Sequence, residues 1–189
     1  SDVCSSDLLI EMARRKPDAL SHGSNGVGTA AHLSAELFKS MTGTKMVHVP
    51  YKGGAPLYQD MLGGRVPVAF AIMQSAMPLV QSGKLKALAL TNPGRSNIFP
   101  EYPPIADTVP GYEFTTWTGF VVPAGTPRDV VEKIGAGVVR LANAPELRPK
   151  WVEFGYEAAP LGPAEFDAFI RSEMESKGKL VRESGAKPE

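Results

Sequence analysis

Apolar positions along the chain switch back and forth between a helical and an extended period. Residues 9–16 place Leu9, Ile10 and Ala13 on one side and Glu11, Arg14 and Arg15 on the other, an amphipathic helix ended by Pro17 and Asp18. A short strand is expected near residues 20–23. The glycine-rich turn Gly23-Ser24-Asn25-Gly26-Val27-Gly28-Thr29 follows and opens a helix over 29–41. Leu33, Leu37 and Met41 recur there every four residues, and Gly43 is the stop signal. Val47, Val49 and Tyr51 alternate, which predicts a strand over 46–51. Lys52-Gly53-Gly54 turns it into a helix with Pro56 in its first turn, closed by Gly63-Gly64. A strand over 66–70, a loop and short helix over 72–83, and a strand over 85–90 that is continuously apolar apart from Lys86 come next. Residues 92–111 are rich in proline and read as connection.

The same alternation continues to the end. A strand is expected over 116–122. Thr126-Pro127 reads as a hydroxyl cap followed by proline at the first helical position. Val130, Ile134, Val138 and Leu141 give that helix a stripe fit for burial. A short helix over 146–154 ends at Gly155, 157–160 suits a short strand, and a last helix spans 163–184 with Phe166, Phe169, Ile170, Met174 and Val181 inward. Strands alternating with helices give the α/β class, with mostly parallel strands and right-handed crossovers. In such sheets ligands sit where the carboxyl ends of the strands and their loops gather.

Composition narrows the function classes. Of 189 residues, 43% are apolar and 21% charged, ordinary for a globular domain. No apolar run approaches the roughly 20 residues of a membrane helix. Formal net charge is zero and no basic run stands out, so the electrostatic footprint of a nucleic-acid binder is missing. The single cysteine, Cys4, excludes an internal disulfide. Residues 1–8 back-translate to a common sequencing-adapter oligonucleotide and are read as a non-native peptide. Without Asp2 and Asp7 the chain carries 20 basic and 18 acidic residues, a net of +2. On that reading the native N-terminus lies upstream, and the lack of a leader here says nothing about compartment.

The strongest local candidate is the turn at residues 23–29. Small residues let a ligand approach the backbone, and the next helix points free N–H groups and its positive dipole end into the loop, which suits a carboxylate or phosphate. Ser24 and Thr29 add hydroxyls. A plain glycine turn before a helix fits the same residues. The run echoes a P-loop, but Thr29 stands where the lysine for the β/γ-phosphates belongs. A dinucleotide fingerprint fails too, since Gly26 and Gly28 lack a third glycine at the required spacing. Val49-Pro50-Tyr51-Lys52-Gly53-Gly54 is a second candidate: Lys52 offers a cation, or is simply solvated, and Tyr51 is a cleft wall or core. His22, His32 and His48 have no partners at metal-ligand spacing, Ser24 with His22 forms no recognisable triad, and Glu173 and Glu175 read as solvated. No cofactor is indicated and no enzyme constellation emerges.

Taken in order, Gly23–Thr29 with His32-Leu33 and Glu36-Leu37-Phe38, Val47-His48-Val49-Pro50-Tyr51-Lys52-Gly53, Asp60-Met61-Leu62-Gly63-Gly64, Gly83-Lys84-Leu85-Lys86-Ala87-Leu88-Ala89, Pro110-Gly111-Tyr112, Trp117-Thr118-Gly119-Phe120 and Pro123-Ala124-Gly125-Thr126-Pro127 resemble the substrate-binding receptors of the tripartite tricarboxylate transporter family, the Bug-type binding proteins. The resemblance covers residues 9–189. It implies a type II periplasmic binding protein of the Venus-flytrap kind: two α/β lobes, a small carboxylate held in the cleft by loop amides and waters, no catalysis, and delivery to membrane subunits. Family chains are longer, so the first lobe is expected to be incomplete. Residues 9–113 then form the second lobe, and 114–189 cross back to supply the C-terminal part of the first.

Carried over position by position, the ligand loop is Ser24, Asn25, Gly26, Val27, Gly28 and Thr29, with Tyr51 and Lys52 lining or flanking the cleft. The loop after Phe70 should also reach it, through Ala71 and Gln74. Many family members have Asp where Ala71 stands here, which makes an amino-acid ligand the weaker expectation. A periplasmic location and a monomeric full-length protein are implied. The competing readings are the ligand-sensing domain of a transcription regulator, which shares the architecture, and a small α/β enzyme. Neither composition nor spacing identifies the carboxylate.

Overall fold

A computed structural model describes residues 5–186. The described residues form α1 (Ser5–Arg15), β1 (Ser21–Ser24), α2 (Ala30–Thr42), β2 (Val47–Pro50), α3 (Gly54–Leu62), β3 (Val68–Ala69), α4 (Met73–Gln81), α5 (Arg128–Ala142), α6 (Arg148–Glu153) and α7 (Pro163–Ser184). Of the N-terminal peptide read as non-native, residues 1–4 lie outside the described residues. Residues 5–8 form the first turns of α1, where the Ser6 hydroxyl lies 2.8 Å from that of Thr108. The chain divides into two compact units. One comprises residues up to Thr116 together with those from Leu180 onward; the other is Trp117–Lys179.

The first unit is built on a three-stranded parallel sheet of order β2-β1-β3. Its central strand, Ser-His-Gly-Ser, has no apolar residue, so hydrophobicity does not place it there. Both neighbours complete its ladder, and its small residues let other elements come close. A methyl group added at Gly23 would stand 2.2 Å from Leu57 Cδ1 and 3.2 Å from Val66 Cγ1. Helices α2 and α3 are the crossovers from β1 to β2 and from β2 to β3, the length that parallel pairing demands. Helix α2 ends as the sequence predicts: Gly43 adopts the left-handed conformation, and its N–H caps the Lys39 carbonyl.

The core of this unit gathers Leu33, Ala35 and Phe38 of α2 with Met46, Phe70, Ile105, Val109, Tyr112 and Phe114. Phe38 is the hub, its ring centroid 5.6 Å from Phe70 and 6.2 Å from Tyr112. The Tyr112 hydroxyl is buried and donates to the Ser34 carbonyl at 3.0 Å, with the Ser34 hydroxyl 2.7 Å away. Met41, expected inward, is exposed. The inward face of α2 runs instead through Leu33, Phe38 and Thr42, and also carries His32 and Ser34.

The expected strand over 85–90 does not form. Only Leu90 pairs, in a single parallel bridge to Pro104, with Ile105 N donating to the Leu90 carbonyl at 2.8 Å. Hydrophobicity supplies burial but no ladder partner, and residues 85–89 remain half-buried or exposed coil.

The second unit is packed around an aromatic trio. Trp117 meets Phe166 and Phe169 edge-on at 5.4 and 5.5 Å, and its indole N–H donates to Glu173 at 2.8 Å. Residues 116–122 and 157–160, expected as strands, form no ladder among the described residues; Phe120 and Val121 are 74% and 85% exposed. The Thr126 cap is also corrected. Its hydroxyl donates to the Pro123 carbonyl, Pro127 occupies the cap position, and α5 begins at Arg128. The stripe of Val130, Ile134 and Leu141 is largely open to solvent, as is Met174 of α7.

Candidate functional site

Because β1 pairs in parallel with β2 and β3, all three strands end at one edge of the sheet. Ser24 lies opposite Pro50, and Gly23 lies opposite both Val49 and Ala69. The turns leaving that edge lead into α2, α3 and α4, so three helix N-termini converge there. Every residue predicted to bind ligand lies on these turns or in the first turn of α4. The loop at 24–29 leaves β1, Tyr51 and Lys52 leave β2, Ala71 follows β3, and Gln74 opens α4. Helices α3 and α4 start without a side-chain cap, leaving their first amides to other acceptors.

The loop is held from within. Ser24 is fully buried; its hydroxyl donates to the Gly26 carbonyl at 2.9 Å and accepts from the Gly26 amide at 3.2 Å. Thr29 donates to the same carbonyl at 2.7 Å, and its oxygen accepts from His32 N at the helix start. The hydroxyls that the sequence offers as ligand donors are therefore engaged with the loop itself. Gly26 and Gly28 have φ of 142° and 73°, a region that glycine reaches without the clash other residues meet. The Gly28 amide donates to His32 Nδ1 at 3.1 Å. Among the described residues no hydrogen bond engages the amides of Val27, Ala30 and Ala31. Asn25 Oδ1 is buried without a partner.

Beneath the loop the three histidines stack. His32 and His48 have ring centroids 3.9 Å apart, and His22 and His48 5.0 Å. His48 Nε2 lies 2.7 Å from Ser24 Oγ. The Ser24 hydroxyl has a single proton, so the donor in its contact with His48 Nε2 follows the tautomer of that ring. Glu36 Oε1 closes the cluster, 2.8 Å from Lys39 Nζ and 3.6 Å from Nε2 of both His22 and His32. Burial alone would raise the Glu36 carboxyl, but His22 and Lys39 outweigh it and bring it down to about 2. Burial, reinforced by the neighbouring rings, lowers His48 to about 4. His32 is also lowered, by burial first and against the pull of Glu36.

Spacing along the chain did not reveal this cluster, and the signal lay in register. His22 and His48 sit two residues before the ends of adjacent parallel strands, which sets them side by side. His32 and Glu36 are one helical turn apart. No group of three or more His, Cys, Asp or Glu among the described residues is arranged to hold a metal ion.

Of the outer candidates, Tyr51 points back toward α3, its hydroxyl donating to Asp60 at 2.8 Å, so it walls the turn. That bond and Arg65 hold the Asp60 carboxyl below its ordinary value. Lys52, Ala71 and Gln74 are exposed. No helix among the described residues is long and apolar enough to cross a membrane.

A UPF0065 protein from the tcbD–tcbE intergenic region of a Pseudomonas species is 33% identical over 177 residues, covering 93% of this chain and 53% of its own. An R. palustris protein solved with adipate superposes with a TM-score of 0.90 at 33% identity, over all of this chain and 63% of that one. A structure described as a periplasmic transporter matches with a TM-score of 0.82 at 32% identity, covering 95% and 60%. The chain spans about half the length of the curated relatives it matches. The sequence profile described as the tripartite tricarboxylate transporter family receptor matches residues 5–186, and the chain belongs to that family.

Proposed function

We propose that this chain is the greater part of a periplasmic receptor that captures a small carboxylate and presents it to the membrane subunits of a tripartite tricarboxylate transporter. The observation that carries the reading is the shared sheet edge. Three helix N-termini meet there, and the first of them offers the amides of Ala30 and Ala31 with no partner from the protein. Such a terminus attracts negative charge through its dipole and donates hydrogen bonds to it. The relative solved with adipate supports a dicarboxylate as the ligand class. On this reading Val27, Ala30 and Ala31 receive one carboxylate, and Lys52, Ala71 and Gln74 flank the cleft. Ser24, Gly26, Gly28 and Thr29 shape the loop, and the Asn25 oxygen takes a donor from a bound water or from the ligand.

We place residues 9–113 in the second lobe and 114–189 in the return to the first. The half-exposed apolar stripe of α5 and the open Phe120 and Val121 fit a unit that packs against further strands in the longer proteins of the family. Calorimetry of the parent full-length protein against a panel of di- and tricarboxylates tests the function. Binding of at least one at micromolar affinity is expected, and silence across the panel overturns the reading.

A further inference from the structure

We infer that His32 is a positioning residue of the proposed ligand loop, holding the Gly28 amide through an unprotonated Nδ1, and that protonation of its ring releases that amide. The argument is geometric. Nδ1 accepts from Gly28 N at 3.1 Å, so it carries no proton. The proton sits on Nε2, which faces Glu36 Oε1 at 3.6 Å. A second proton has only Nδ1 to occupy, and there it would confront the Gly28 N–H donor to donor. Gly28 lies in the left-handed region, and a Cβ placed there would touch nothing within 4 Å. Ser24 and Thr29 hold the loop at Gly26, and the imidazole is what holds the Gly28 amide.

The surroundings set how readily the second proton comes. Among the described residues, the titratable groups facing the ring belong to one cluster: His48 of β2 stacked on it, His22 of β1 behind His48, and Glu36 and Lys39 of α2. His22 and Lys39 oppose a positive ring, and Glu36 favours one. Burial adds to the opposition, and the balance keeps His32 neutral at neutral pH. His48 does not share this role, because its hydrogen bond goes to Ser24 Oγ and not to the Gly28 amide. That release of this amide weakens the hold on a carboxylate rests on the function proposed above; the coupling of His32 to Gly28 does not.

The test therefore uses the 189-residue chain without ligand. Long-range proton–nitrogen spectra at neutral pH should show His32 Nδ1 as an unprotonated acceptor. On acidification the Gly28 amide should shift in step with the His32 ring. His32→Asn sets a carbonyl oxygen near the place of Nδ1 and cannot titrate, so it should keep the Gly28 amide where it was at neutral pH and abolish its response to acid. His32→Leu should displace that amide at every pH. A protonated Nδ1 at neutral pH, a Gly28 amide indifferent to the titration of His32, or the same response in His32→Asn overturns the inference. A His32 ring that stays neutral until the chain unfolds overturns its pH-dependent part. The tautomer in the unsubstituted chain decides the matter even if a variant fails to fold. Failure of the parent protein to bind any carboxylate would count against the proposed function and leave these readings untouched.

Discussion

The rings of His32 and His48 lie face to face, planes 8° from parallel, one from the helix that opens at the glycine-rich loop and one from the neighbouring strand. Stacked imidazoles at this distance cannot both be charged without strong repulsion. Both are held below the ordinary histidine value of 6.5, His48 at about 4. The unfolded chain then binds more protons than the folded one between pH 6.5 and 4, so stability falls as pH falls through that window. Glu36 acts with the same sign lower down: its carboxyl is ionised in the fold to about pH 2 but takes up a proton near 4.5 when unfolded. Urea unfolding at a series of pH values should show full stability above about pH 6.5, then a continuous decline into acid. His48→Asn should flatten the upper part of that decline and spare the part due to Glu36. A stability independent of pH from 7 to 5 would show that the stack is not neutral-only.

Gly23 is where β1 meets α3. A methyl group there would collide with Leu57 Cδ1, and Leu57 is itself buried. Gly23→Ala should cost about 1–3 kcal/mol through overpacking. Gly43→Ala is the natural comparison: its Cβ meets nothing within 4 Å, and only the left-handed backbone at φ 63° opposes it, a cost of roughly 1–2 kcal/mol. The two penalties arise differently, so Leu57→Ala should relieve the first and not the second. Denaturant midpoints of the two single variants and of the double variants measure this. No relief at Gly23 in the Leu57→Ala background would mean the strand itself, and not its packing, resists the change.

Periodicity made the elements from α1 to α4 legible to within a few residues of their ends, because they satisfy one another nearby. Thr29 and Gly43 cap α2 where a hydroxyl and a glycine flank an apolar repeat. The central strand was readable only as a short run between a helix and a glycine turn, since Ser21-His22-Gly23-Ser24 carries no apolar signal. The histidine cluster was not readable from spacing. Its members are adjacent through parallel register, which is a property of the sheet and not of any local motif. The strands that failed, at 85–90 and 116–122, have the right composition. A ladder needs a partner, and none faces them among the described residues apart from Pro104 at Leu90. The family resemblance reached the family, where residue chemistry alone left a glycine turn and a carboxylate site equally open.

The glycine-rich loop is one part of the proposed cleft. Micromolar affinity requires about −8 kcal/mol, whereas three helix termini at roughly 0.3–2 kcal/mol each supply at most about 6 kcal/mol. With the Gly26 and Gly28 amides already engaged by Ser24 and His32, few loop donors are left for a ligand. The 189-residue chain alone should show no measurable heat with adipate, citrate or malate, in contrast to the parent protein. Tight binding by the short chain would mean that the loop and its neighbouring turns form a complete site.

Phe120 and Val121 give a separate measure of the same division. Both stand almost free of the second unit here, at 74% and 85% exposure. Exposed side chains contribute little: replacing them with Ser and Thr in this chain should move stability by no more than about 0.5 kcal/mol and improve solubility by shrinking an apolar patch. If longer members of the family cover this segment with additional strands, the same pair lies inside their sheet packing. Phe120→Ser in the parent protein should then lose about 3–5 kcal/mol, the cost of emptying a buried aromatic site. The contrast between the two backgrounds is the informative quantity, since intrinsic propensities of the substituted residues are common to both and cancel. Matched urea titrations of the pair in short and full-length chains provide it. A small effect in both would place residues 117–122 at the surface of the complete receptor, and the proposed return of the chain into the first lobe would have to begin after them.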